Sequence, residues 1–476
     1  RAAIDIAHAK GAGPFKIIGR NLIDTQLAQL VPLGAHVKIE AQLLNTVSVR
    51  GFGHLLKLQT IAELDLRQTI AITTDEIIAL QQLDAVNALK LPSYQNLGDE
   101  ALQAVNQLKQ LTYLSLANCK GFSVEALAPF HGNSNLRALD LSNSKLASDA
   151  SLGDVTSIAK LERLTMRCVA PSRCNVLLTP AGFAKLARLD RLRSLDLRYN
   201  STLNNYTDSL TKITQLEHLD LGSTSLTDAS LQGISSLQNL RSLELPLCHL
   251  LSSNVLTPIL AITTLTRLNM IDTKLESRDI VRLERLPQLQ ELQLPAVSES
   301  QFFTRLAKLP AIRVIQLHRI STLAYEHVRE LARCTSLESL DLRFELQHRD
   351  ARSMAQLPLA PIQFAKNLTT LDVRYFPMIA SHHFEEISRS TGIETLQLYS
   401  CNIARTQAIE QLKNMPKLKT LSLALSRGVD KASVLALSRL RQLKCLNLPS
   451  CSDLLDMDVR DLQKNLPYTV VKTTLD

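Results

Sequence analysis

The stretch LRSLDLRYN at residues 192–200 recurs as LESLDLRFE at 337–345 and as LTTLDVRYF at 368–376. Each copy brings an acid, an arginine and an aromatic ring within four positions: Asp196, Arg198 and Tyr199; Asp341, Arg343 and Phe344; Asp372, Arg374 and Tyr375. Guanidinium forks match planar carboxylates and phosphates, and neighbouring rings add desolvated contact area. This is the chemistry of recognition.

Residue types that could make or break bonds are present but poorly placed. Cys451 opens CSD at 451–453, and a nucleophilic thiol needs a base or a helix start to lower its pKa. SHHFEE at 381–386 gathers His382, His383, Glu385 and Glu386, yet adjacent histidines on a helix diverge by about 100° and lack the i, i+4 spacing of a metal pair. Cys168 and Cys174 have no second pair at zinc-ligand spacing, so they read as loop thiols. GAG at 11–13 lacks the Lys and Ser/Thr of a phosphate loop and reads as a tight turn. No catalytic residue, cofactor or metal is assigned.

What positions these residues is a repeat. Hexapeptides of the form L-x-x-L-x-L begin at 61, 86, 111, 136, 161, 192, 216, 240, 265, 289, 312, 337, 368, 393, 418 and 443, at intervals of 23 to 25 residues except for two of 31. Alternation in the second half of each predicts a short strand with one buried face. The following segment, such as LTDASLQGISSLQNL at 226–240, spaces Leu231, Ile234 and Leu237 helically behind a cap at Thr227 or Asp228. One strand and one helix cannot enclose a core, whereas stacked copies can. Residues 1–60 read as degenerate copies, with strands in FKIIGRNL and VKIE, and 466–476 as a closing strand.

The pattern resembles the leucine-rich repeat family over at least residues 61–471. Cys119, Cys248, Cys401 and Cys451 at the ninth repeat position, with Thr69, Thr224, Thr273, Ser144 and Ser426 elsewhere, are similar to the cysteine-containing subclass typified by F-box substrate receptors and ribonuclease-inhibitor-like proteins. The resemblance implies an α/β right-handed solenoid or horseshoe with a parallel concave sheet and convex helices, and a small buried donor at position nine. The expected organisation is an N-terminal cap at 1–60, a solenoid at 61–465 and a closing strand at 466–476. No F-box is visible. CSD also resembles the Cys-x-Asp of certain bacterial ubiquitin ligases, but Cys451 occupies the structural ninth position.

In this frame the third, fifth and seventh positions face the concave side, about 6.6 to 6.8 Å apart along a strand. The seventh position collects two basic islands, Arg167 with Arg198, and His318 with Arg343 and Arg374 leading to Tyr399. Tyr199 edges the first, and Phe344 and Tyr375 flank the second, in a chain only 4% aromatic. The expected contact surface is therefore His318, Arg343, Phe344, Arg374, Tyr375 and Tyr399, with Arg167, Arg198 and Tyr199 as a second patch. Both 31-residue repeats follow these islands, and Arg349 and Arg352 would overhang the second.

The formal charge of +8 is dispersed, with no run of five like charges. Asp beside most of these arginines favours an acidic protein partner over a nucleic-acid backbone. Two alternatives are a substrate-recognition subunit of a ubiquitin ligase and a ribonucleoprotein component. Eight scattered cysteines predict reduced thiols and a cytoplasmic or other reducing compartment. The sequons at Asn200, Asn205 and Asn367 matter only otherwise. No apolar run is long enough to span a membrane. The chain begins at Arg1, and the expectation is that sequence precedes it.

Overall fold

A computed structural model of the chain describes residues 3–7, 15–31, 37–43, 46–93, 97–168, 178–200, 207–295, 299–345, 358–403, 407–451, 454 and 456–473. The chain divides into two compact units, Arg1–Glu244 and Leu245–Asp476.

In the first unit the strands are β1 (Ala3–Ala7), β2 (Phe15–Leu22), β3 (Val37–Leu43), β4 (Ile61–Asp65), β5 (Ala88–Lys90), β6 (Tyr113–Ser115), β7 (Ala138–Asp140), β8 (Arg163–Thr165), β9 (Ser194–Asp196), β10 (His218–Asp220) and β11 (Ser242–Glu244). β1 runs antiparallel to β2, and each later strand adds in parallel to the one before it. In the second unit β12 (Arg267–Asn269), β13 (Glu291–Pro295), β14 (Val314–Ile320), β15 (Ser339–Phe344), β16 (Thr370–Arg374), β17 (Thr395–Tyr399), β18 (Thr420–Ser422), β19 (Cys445–Asn447) and β20 (Val470–Lys472) form one parallel series. The antiparallel β1 was not expected. The turn at 11–13 lies outside the described residues.

Each strand is short because only its central leucines need burial. Leu195 and Leu197, Leu371 and Val373, and Leu396 and Leu398 are at most 1% exposed, and the residues between them face the other way. Parallel pairing keeps equivalent positions in register, as in Leu340 with Leu371 and Leu371 with Leu396. The strand ends where the chain turns left-handed. At the eighth position of eleven repeats the residue has positive φ: Asn118, Asn143, Tyr199, Ser223, Leu247, Asp272, Arg319, Tyr375, Ser400, Leu425 and Ser450. Such a conformation costs a non-glycine residue about 1 to 2 kcal/mol. Hydrogen bonds to the next strand's seventh residue hold it, as in Asn143 N–H to Arg167 O at 2.8 Å and Tyr375 N–H to Tyr399 O at 3.0 Å.

The return segments are short α-helices or 3-10 turns. Residues Ala229–Ser236 form a 3-10 helix and not the α-helix their spacing predicts; Asp228 makes no side-chain cap, and Thr227 N–H bonds Ser230 Oγ instead. A 3-10 helix rises about 2.0 Å per residue against about 1.5 Å for an α-helix, so it returns the chain with fewer residues. In the first unit the segments are also stitched to each other: Asp24, Asp99 and Asp149 accept bonds from both backbone and hydroxyl of Ser48, Ser123 and Thr179 in the following copy. Among the described residues no helix is long and apolar enough to cross a membrane.

Candidate recognition surface

The ninth position sets how firmly each strand is held. Thr69, Thr224 and Thr273 donate to the carbonyls of Leu66, Leu221 and Met270 at 2.7, 2.6 and 2.7 Å. Cys119, Cys401 and Cys451 donate to Pro92, Val373 and Leu423 carbonyls at 3.4, 3.4 and 3.1 Å, and Ser426 to Leu398 O at 2.8 Å. Asn200 takes the same place, its Nδ2 bonding Met166 O at 2.9 Å and Leu197 O at 2.7 Å while only 1% exposed. This sequon is a structural strut. Asn367 is exposed but its Nδ2 donates to Thr335 O, and Asn205 lies outside the described residues.

A short parallel strand every 23 to 31 residues, followed in eleven repeats by a left-handed turn, decides the fold. Each unit is a leucine-rich repeat solenoid. No family model matches the chain, and no curated protein does. Among solved structures it is similar to an internalin from Listeria monocytogenes, with 18% identity over 79% of this chain and 94% of that one and a TM-score of 0.43. It is also similar to a leucine-rich repeat protein from Leptospira interrogans, with 20% identity over 94% and 98% of the two chains and a TM-score of 0.43.

In the leucine-rich repeats of the second unit, β15 to β17 bring Arg343, Arg374 and Tyr399 into one row, and His318 on β14 lies beside it where the register shifts after Leu317. Arg343 pairs in register with Arg374, and Arg374 with Tyr399. Each arginine is pinned within its own strand: Arg343 Nε and Nη2 donate to Asp341 Oδ2 at 2.9 and 2.8 Å, and Arg374 Nε and Nη2 to Asp372 Oδ2 at 2.9 and 2.6 Å. The carboxylates are nearly enclosed, and among the described residues Oδ1 of each finds no hydrogen-bond donor. Burial accordingly pushes the Asp372 carboxyl up, with Arg374 opposing it. The Arg374 guanidinium lies 5.3 Å from the centre of the Tyr399 ring, and Tyr375 meets that ring edge-on at 6.0 Å. Both tyrosines are half-buried.

Two expected members of this surface behave otherwise. Phe344 is 5% exposed and packs edge-on against Phe376 at 4.9 Å, inside the core. Its repeat lacks the left-handed eighth residue, β15 stays extended, and strict alternation sends Leu340, Leu342 and Phe344 to the same buried side. His318 is not a cation at neutral pH: burial, then the charge of Arg343, pushes its pKa down to about 4. Arg349 and Arg352 lie outside the described residues. Arg319, which periodicity did not mark, is exposed and reaches both Asp272 at 3.0 Å and Glu345 at 3.4 Å.

The first unit spends its arginines differently. Arg167 pairs with Asp196 on the next strand, and Arg198 Nη2 bonds Asp220 Oδ2 at 2.8 Å, again one strand ahead. Tyr199 is half-buried at the left-handed turn. The row is a zipper across β8, β9 and β10.

The remaining candidates resolve into structure. Cys451 is buried in the ninth-position ladder. Burial pushes the equivalent Cys119 and Cys401 thiols up to about 12, the opposite of an activated nucleophile. His383 is buried in helix Ser381–Ser388, its Nδ1 accepts the Ala380 N–H at 2.8 Å, and burial lowers its pKa to about 4. Among the described residues no three acidic, histidine or cysteine side chains gather as a metal site. Cys168 is disulfide-bonded, in contrast to the reduced loop thiol expected of it, and Cys174 lies outside the described residues. Cys119, Cys334, Cys401 and Cys445 are thiols outside any disulfide.

A feature missed in the sequence is a hollow of about 680 Å³ on the first unit's sheet, lined among others by Glu63, Asp65, Arg67, Lys90, Tyr113 and Arg163. The signal was available in the third positions of the repeats, where Ala88 and Ala138 flank Tyr113.

Proposed function

We propose that this protein is a non-enzymatic recognition scaffold that captures another protein on the open face of the second unit's sheet. Arg374, Tyr375 and Tyr399 form the centre of the contact, with Arg343 and His318 beside them. The observation that carries this reading is the pinned guanidinium of Arg374 over the Tyr399 ring. Fixing an arginine before the partner arrives reduces the side-chain entropy lost on binding, and Arg with Tyr is the composition of interface hot spots.

The partner is a protein surface presenting carboxylates. Asp341 and Asp372 match Arg343 and Arg374 one for one, so the surface offers directed N–H groups and little net positive charge. A phosphate backbone, read through uncompensated cations, is the poorer fit. Arg167 and Arg198, each engaged across a strand, serve with Tyr199 as a secondary surface at most. The test is affinity capture from a nuclease-treated lysate, with the bound proteins quantified at rising salt. Retention of one protein after nuclease treatment, with a shallow salt dependence, supports the reading. Loss of all specific material with nuclease overturns it in favour of a ribonucleoprotein role.

A further inference from the structure

The hollow of the first unit has a construction of its own. Across β4 to β8 the third repeat positions run Glu63, Ala88, Tyr113, Ala138 and Arg163, each in register with the next. Alanine on either side of Tyr113 keeps this part of the sheet low, and a hollow of about 680 Å³ lies over it, lined by residues from β3 to β8. Its size is that of a pocket for a small organic molecule, for which about 300 to 1,000 Å³ is usual.

Its charges are unevenly committed. Arg67 Nη2 and Lys90 Nζ both hold Asp65 Oδ2, at 2.7 and 3.3 Å. Burial works against ionisation of Asp65, but the Arg67 hydrogen bond and the two cations prevail and keep its carboxyl below the usual range. Arg163, by contrast, is exposed and makes no ion pair among the described residues. Asp140, near Tyr113, accepts from the Ser115 hydroxyl at 3.0 Å and the Ser142 N–H at 2.9 Å and is not among the residues that line the hollow. Of the charged residues lining the hollow, three are cations (Arg67, Lys90, Arg163) and two are carboxylates (Glu63, Asp65), leaving one positive charge.

We infer that this hollow binds a singly charged carboxylate carried on an apolar group, with the carboxylate on Arg163 and the apolar part against the Tyr113 ring over Ala88 and Ala138. Arg67 and Lys90 are held by Asp65, and the one lining cation without an ion pair among the described residues, Arg163, suits a monoanion better than a phosphate dianion. Tyr113 and Arg163 stand two strands apart, about 10 Å at about 4.8 Å per strand, which is the reach of a short aryl-alkanoic acid. The guanidinium fork supplies the directional contact and the phenol ring the desolvated one. All residues that line the hollow belong to the first unit.

The experiment is a titration of the full chain with 3-phenylpropionate, followed by calorimetry and by the ring signals of isotopically labelled tyrosine. The expected result is saturable binding that shifts Tyr113. Arg163→Ala should weaken it at least tenfold, 3-phenylpropionamide should not compete, and Tyr399→Thr should leave it unchanged. Ala88→Leu, which fills the hollow, should abolish it in protein with an unchanged circular dichroism spectrum. A parallel titration with a tripeptide ending in phenylalanine with a free carboxylate distinguishes the source. Tighter binding of the peptide assigns the site to chain termini, and tighter binding of the free acid assigns it to small acids. Absence of a saturable Tyr113 shift, or equal affinity in Arg163→Ala and the unmodified chain, overturns the inference.

Discussion

Arg374 donates two hydrogen bonds to a carboxylate that is 5% exposed, and this pairing governs what its replacement does. Truncating it strands Asp372 without its counterion in a buried place, a change that costs about 3 kcal/mol or more. Arg374→Ala is therefore expected to destabilise the fold, whereas Asp372→Asn with Arg374→Gln, which removes both charges, should cost well under half as much; denaturant midpoints of the two variants check this. The sequence could place Asp372 and Arg374 on one face but not say which acid each arginine takes. Same-strand pairing at Arg374 and cross-strand pairing at Arg198 arise from the same spacing. His318 offers a second test. Its folded pKa near 4 lies below the ordinary value near 6.5, so the unfolded chain binds the extra proton between these pH values. Its contribution to stability is thus complete above about pH 6.5 and lost as pH falls toward 4. An NMR titration of the His318 ring should show a midpoint near 4, and a midpoint at 6 or above would remove the reading of a neutral imidazole.

At the scale of the element, the repeat unit is a strand that must stop on time. Where the eighth residue turns left-handed, a tyrosine there stays half-exposed; where β15 continues, Phe344 enters the core. Both sequences read Arg followed by an aromatic, which is why the periodicity placed Phe344 and Tyr375 on one surface. The longer spacing after Arg343 was the available hint that this turn differs. Strand positions, the buried leucines and the ninth-position donors were legible because they depend on local alternation and spacing. The 3-10 return at 229–236 was not, since it depends on how much chain the return path must cover, and the disulfide at Cys168 was not, since pairing is set in space and not by spacing. Gly428 shows the same constraint from the other side: at φ +80° its missing Cβ would meet the Ile403 carbonyl, so Gly428→Ala should destabilise by about 1 to 3 kcal/mol. Asn200→Ala, which abandons two buried carbonyls, should cost a comparable 1 to 3 kcal/mol or so. Thermal unfolding of each variant gives the answer.

For the molecule as a whole, the repeats of each unit build one sheet whose open face is the product of rows, not of single motifs. Reading the fifth and seventh positions found the arginine row, and leaving the third unread hid the hollow beside Tyr113. The central claim is that the row at Arg374, Tyr375 and Tyr399 recognises a protein and is more than a ladder that balances charge. The measurement that tests it most directly is the affinity of the captured partner for the intact chain and for Tyr375→Asn with Tyr399→Thr, each at matched thermal stability. Asn tolerates the left-handed turn and Thr suits a strand, and neither change exposes a buried charge. The account predicts an unchanged unfolding temperature and affinity weakened by about 2 kcal/mol, roughly thirtyfold. Unaltered affinity in a variant that unfolds at the same temperature would contradict it.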